Sequence, residues 1–171
     1  ARDATIGSAK ANQIPVLDLH ELTAGKLAAL FSRQASRDLF DAYLLLTREN
    51  LDPQKLRLGF VVYGAMNRKD WRTVRIQDVS YDLRELNNQL VPVIRGGFLD
   101  GKKTSDWARS MLDECQQALE IVLPLKTEEM EFLDQILDHG QVKPELLTSD
   151  EDMMNRITSH PLLQWKALNV K

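Results

Sequence analysis

The sequence holds one cysteine, Cys115, and three histidines, His20, His139 and His160. A single thiol excludes an internal disulfide and a cysteine-based zinc cluster, and it suits a reducing, cytoplasmic compartment. The histidines lie far apart and no G-x-S-x-G turn accompanies them, so nothing points to a hydrolase triad. H-E-x-x-H, EF-hand and Walker A patterns are all missing, and no metal ligand is expected. GSAK at 7–10 is too short for a phosphate loop, and RGG at 95–97 reads as a turn. The longest apolar stretches, LLL at 44–46 and FVVYGAM at 60–66, fall well short of the roughly 20 residues of a membrane helix, so no membrane partner is expected. A net charge of −3 argues against a general nucleic-acid coat but leaves room for a local basic site.

What remains is ordinary globular material, 43% hydrophobic and 27% charged over 171 residues, enough for one domain with a real core. Residues 1–13 lack periodicity and read as a loop. IPVLDL (14–19) reads as a short edge strand, where Pro15 is tolerated. HELTAGKLAALFSR (20–33) has helical spacing at Leu22, Leu27, Leu30 and Phe31, and Gly25 would admit a close neighbour. Ser36 is placed to cap a second helix with Asp38 in its first turn. Pro53 opens a third. Residues 104–123 form one apolar stripe from Trp107 through Met111 and Cys115 to Val122, which makes Cys115 a buried structural thiol. Thr127 and the acids after it start another helix, with Gly140 as its left-handed terminator. An amphipathic segment at 150–168 closes the chain, and the acids of SDED (149–152) read as its solvated start. Trp107 and Trp165 read as core. Arg68, Lys69, Arg72 and Arg75 around Trp71 read as a solvated face, with contact to an acidic acceptor as the alternative. The fold class is mainly α, a helical bundle with one short N-terminal strand.

One stretch does not fit mere packing. In KLAALFSRQASRDLFDAY (26–43), Lys26, Arg33 and Arg37 are spaced 7 and 4, which on a continuous helix confines them to a sector of about 40°. Asp38 and Asp41 share a face of the next helix. Cations on one wall and carboxylates on the next suit phosphoryl or nucleotidyl transfer, in which a Lys or Arg neutralises phosphate charge and a carboxylate holds Mg²⁺ or orients the attacking hydroxyl. A surface salt-bridge ladder is the competing reading.

VLDLHELTAGKLAALFSRQASRDLFDAYLLL resembles the third conserved block of the AbiEii/AbiGii toxin family, nucleotidyltransferase-like proteins of which several are toxins of bacterial type IV toxin–antitoxin pairs. The tail EEMEFLDQILDHGQVKPELLTSDEDMMNRITSHPLLQWKALNV is similar to tails on such proteins. The resemblance implies that Lys26 contacts the nucleotide phosphates and that Asp38 is the late catalytic acid. It also implies that Arg33 and Arg37 support phosphates or acceptor and that Asp41 braces the site, for instance by pairing with an Arg. It implies Mg²⁺ and an NTP, an acceptor such as tRNA or protein, a cognate antitoxin, and a role in phage defence. The family's core starts with a Gly-Ser turn followed by a metal-binding D-x-D. Here GS at 7–8 is followed by AKANQ, and the D-x-D at Asp150 and Asp152 lies in the wrong order. With Ala rather than Met first, the expectation is a C-terminal fragment, inactive alone. Residues 1–19 would be a remnant of the nucleotidyltransferase core and residues 20–171 the helical domain. A catalytic wall requires Lys26 and Asp38 to face one open cleft, and fails if they face opposite sides or are sealed into separate salt bridges; it also requires Asp38→Ala to abolish transfer with the melting temperature nearly unchanged. The alternative is a non-catalytic helical interaction module.

Overall fold

A computed structural model describes residues 2–6, 9–99 and 101–170. The architecture is mainly α, as expected. A β-hairpin, β1 (Arg2–Ile6) with β2 (Ala9–Ile14), leads into α1 (Leu19–Arg33), α2 (Ser36–Arg48) and α3 (Pro53–Ala65). A short helix α4 (Leu83–Glu85) runs on into a wider turn at Leu86–Leu90. Then come α5 (Thr104–Ala118), α6 (Thr127–His139), α7 (Glu151–Thr158) and α8 (Pro161–Leu168).

The N-terminus departs from expectation. Residues 2–6 and 9–14 pair antiparallel, with Ala4 opposite Ala11 and Thr5 opposite Lys10, instead of forming a loop. Lys10, Asn12, Gln13 and Ile14 are exposed, so no buried face marks this part of the ribbon in the sequence, and backbone pairing joins the two strands. The strand ends at Ile14, and the segment from Pro15 to Leu17 is irregular and exposed. Pro15 has no N–H to continue a ladder, and Asp18 is already committed to capping α1 through the backbone N–H groups of His20 (2.9 Å) and Glu21 (3.4 Å). The Gly7–Ser8 pair lies outside the described residues.

The three helices α1, α2 and α3 pack around Leu27, Leu30, Leu39, Leu56 and Phe60, all fully buried. Trp71 is the largest side chain in this core. Its ring meets Phe31 edge-on at 5.6 Å and Phe60 at 5.0 Å, geometry that aromatic quadrupoles favour. Gly64 makes the room: a Cβ there would lie 2.1 Å from the indole. The cations around Trp71 are therefore a rim over a core residue. Lys69 pairs with Asp78 at 3.1 Å, and Arg72 with Asp70, Asp134 and Asp138 at 2.8, 2.8 and 2.5 Å, which ties the segment to α6.

A second staple is buried. Arg57 of α3 grips Glu129 of α6 through two bonds, 2.8 and 2.6 Å, and also donates to the carbonyls of Ile121 and Pro124. Glu129 in turn accepts from the N–H of Lys126 at 2.7 Å, so Lys126 is the cap residue of α6 and Thr127 its first helical residue. Gly140 ends α6 with φ +64, as its sequence position predicts. The SDED acids do stand at a helix start, and Asp150 caps α7 by accepting from the N–H of Met153. Trp107 and Cys115 are buried, and burial pushes the Cys115 thiol up to about 12. Trp165 is not core: it is 62% exposed. In α8 the inward positions go to Leu163 and Ala167, one turn apart, which turns Trp165 outward.

Candidate functional site

The α1–α2 corner carries the candidate residues. Helix α1 closes at Gln34, whose left-handed backbone (φ 55) lets its N–H reach the Leu30 carbonyl at 3.0 Å. Ala35 then stands at the cap position of α2, one residue before the Ser36 expected there. Alanine has no oxygen to accept from the first turn, and Glu85 supplies one from outside. Its carboxylate accepts from the Ser36 N–H at 3.1 and 3.2 Å and from the Ser36 hydroxyl at 2.7 Å. An anion at a helix N-terminus also suits the dipole. Gln34 is pinned by its side-chain N–H to the Asp78 carbonyl at 2.9 Å. The corner is thus fixed by residues far along the chain.

Two ion pairs cross the seam between α1 and α2. Lys26 Nζ meets Asp41 Oδ2 at 2.7 Å, with both side chains 39% exposed. Arg33 grips Asp38 with Nε to Oδ2 at 3.1 Å and Nη2 to Oδ1 at 2.8 Å. Asp38 is 7% exposed and Arg33 66%. The partner of Asp41 is Lys26 and not an Arg. Helical spacing accounts for this: Lys26 lies two turns before Arg33, and Asp41 about one turn after Asp38, so the antiparallel-like return of α2 sets each cation beside one acid.

Lys26 and Asp38 are held in separate ion pairs and neither lines the groove beside them, an arrangement that counts against the catalytic wall and for the salt-bridge ladder. That groove, about 460 Å³, is bordered by Arg37, Phe40, Asp41, Val93, Arg95 and Phe98. Arg37 and Arg95 make no ion pair among the described residues. Phe40 and Phe98 stack edge to face at 5.0 Å, and Arg48 lies over the Phe98 ring at 5.0 Å. Arg95 was invisible from sequence as a site residue, since RGG announces only a turn and nothing local ties it to Arg37.

Chemically, the seam offers a half-exposed cation whose carboxylate partner faces water, together with two guanidinium groups without an ion pair among the described residues, a set able to receive a polyanion. A divalent metal is another matter. Among the described residues no three His, Cys, Asp or Glu side chains converge to hold one, and Asp38 and Asp41 are each occupied by a cation. These two carboxylates do not fit a Mg²⁺ site in this arrangement.

Fold and seam together describe a mainly helical protein whose charged corner is built from a Lys…Arg…Arg-Asp-x-x-Asp stretch. The sequence model of the nucleotidyl transferase AbiEii toxin family, type IV toxin–antitoxin system, matches residues 2–135. The chain belongs to that family. The match takes in the hairpin, the α1–α2 corner and the groove, and ends within α6. No curated protein and no solved structure matches the chain. Among the described residues no helix is long and apolar enough to cross a membrane.

Proposed function

We propose that this chain is the helical C-terminal region of an AbiEii-type nucleotidyltransferase, which in its intact form moves a nucleoside monophosphate from an NTP to an acceptor such as tRNA or protein. The supporting observation is that the family match includes the seam where Lys26 meets Asp41 and Arg33 meets Asp38, beside a groove flanked by Arg37 and Arg95. In this reading Lys26 exchanges Asp41 for the NTP phosphates. A pair as exposed as this contributes roughly 0–1 kcal/mol, so the exchange is cheap. Arg37 adds charge at the groove, and Asp38, oriented by Arg33, acts on the acceptor hydroxyl. Residues 1–19 belong to the nucleotidyltransferase core and 20–171 form the helical domain. The Mg²⁺-binding carboxylates come from a segment outside these 171 residues, so the chain alone is inactive. A cognate antitoxin is its protein partner in the bacterial cytoplasm, in phage defence.

The test uses the intact protein with each α-labelled NTP, Mg²⁺ and bulk RNA or protein. Lys26→Met and Asp38→Asn are each expected to lower acceptor labelling by about 100-fold or more, with the circular dichroism spectrum retained. Wild-type labelling by both folded variants refutes the assignment. A second reading, a non-catalytic interaction module, draws on one observation: Lys26 and Asp38 are neutralised in separate ion pairs. It is supported if the intact protein transfers nothing yet binds its antitoxin.

A further inference from the structure

A cavity of about 320 Å³ opens between the start of α1, the middle of α3 and the α7–α8 junction, and none of the seam residues lines it. Its size is that of a small-molecule pocket. Its floor is apolar and rich in adaptable methionine: Leu58, Val62, Met66, Met153 and Ile157. Its rim is polar, and the bonding state of each rim group decides what the cavity can receive.

The acids on the rim are already satisfied. Asp18 accepts from the N–H of His20 at 2.9 Å and lies 3.0 Å from His20 Nδ1. Glu21 pairs with Arg156 at 3.0 Å. His20 is satisfied too: its Nε2 accepts the Asp52 N–H at 2.9 Å, which puts the ring proton of the neutral form on Nδ1, facing Asp18. The remaining polar groups are donors. His160 Nδ1 accepts the Leu162 N–H at 3.3 Å, so the neutral ring carries its proton on Nε2. The Lys55 ammonium and the Tyr63 hydroxyl have no hydrogen-bond partner among the described residues. Burial raises the Tyr63 hydroxyl further above its usual range, which keeps it a donor. The unmet demand is for acceptor oxygens set above an apolar body.

We propose that this cavity binds a small organic anion of the aryl- or alkyl-carboxylate class, its carboxylate held by Lys55, Tyr63 and His160 and its apolar body lying on Met66, Met153 and Val62. This site is independent of the nucleotidyltransferase reading.

Methionine methyl groups report on it directly. In ¹³C-methyl-methionine-labelled protein, millimolar 4-phenylbutyrate is expected to shift the Met66 and Met153 signals and leave the buried Met111 signal in place. Lys55→Met and Tyr63→Phe, both on the cavity wall, the latter keeping the ring that packs against the core, are each expected to weaken the titration by about tenfold. 4-Phenylbutyramide, the same body without the charge, should bind weakly or not at all. No shift at Met66 and Met153, equal shifts at Met111, equal binding of the amide, or undiminished binding by both folded variants overturns the proposal.

Discussion

Replacing Gly64 with alanine would place a methyl carbon 2.1 Å from Cδ1 and Nε1 of Trp71 and 2.3 Å from its Cγ. Non-bonded carbons settle at about 3.5–4.0 Å, so the indole must retreat by roughly 1.5 Å. It has nowhere to go, because it is fully buried against Phe31 and Phe60. If the neighbours yield, overpacking costs up to about 3 kcal/mol. If the indole is displaced, the loss approaches the 3–5 kcal/mol of a Trp-to-Ala truncation, taken as approximate. Helix propensity returns about 1 kcal/mol. The net cost is roughly 2–4 kcal/mol, which for a chain of this size lowers Tm by roughly 4–16 °C. Urea unfolding followed by circular dichroism measures it. In a Trp71→Ala background the clash is gone, and Gly64→Ala should be neutral or stabilising by about 1 kcal/mol. An unchanged or raised stability for Gly64→Ala alone refutes the packing argument.

Glu129→Ala strands the mostly buried Arg57 guanidinium and removes the Lys126 cap, for an expected loss of about 3–5 kcal/mol, read by denaturant titration. Asp38→Ala should not leave stability untouched, because it empties a buried site and frees Arg33. Since Arg33 is largely exposed and returns to water, the loss should be about 1–2 kcal/mol; a Tm equal to wild type contradicts the buried placement. Asp70 is held below the usual 3.8 chiefly by the Arg72 side chain. Its folded-state value is thus depressed, so its contribution is whole above 3.8 and fades as pH falls through the folded value. Asp70→Asn should flatten that part of an acid-unfolding curve and change little near neutrality beyond a constant offset. Cys115, with its thiol pushed up to about 12 in the core, should react with a disulfide reagent on the order of 100-fold more slowly in native than in unfolded protein.

Helix α3 starting at Pro53, the left-handed stop at Gly140 and the buried stripe through Trp107 and Cys115 could all be read from the sequence, because each depends on neighbours within a turn or two. The charged seam was readable in the same way: the spacing from Lys26 to Asp41 selects the residues that meet across two consecutive helices. The sequence alone determined a helical class, a compact core and a corner dense in opposite charges. The tertiary structure decided the rest. It paired Lys26 with Asp41 and Asp38 with Arg33, brought Glu85 to cap α2, set Arg95 beside Arg37, formed a hairpin over residues that read as a loop, and turned Trp165 to solvent. Each of these depends on which distant segment occupies a given face, and periodicity along one helix carries no record of its neighbour.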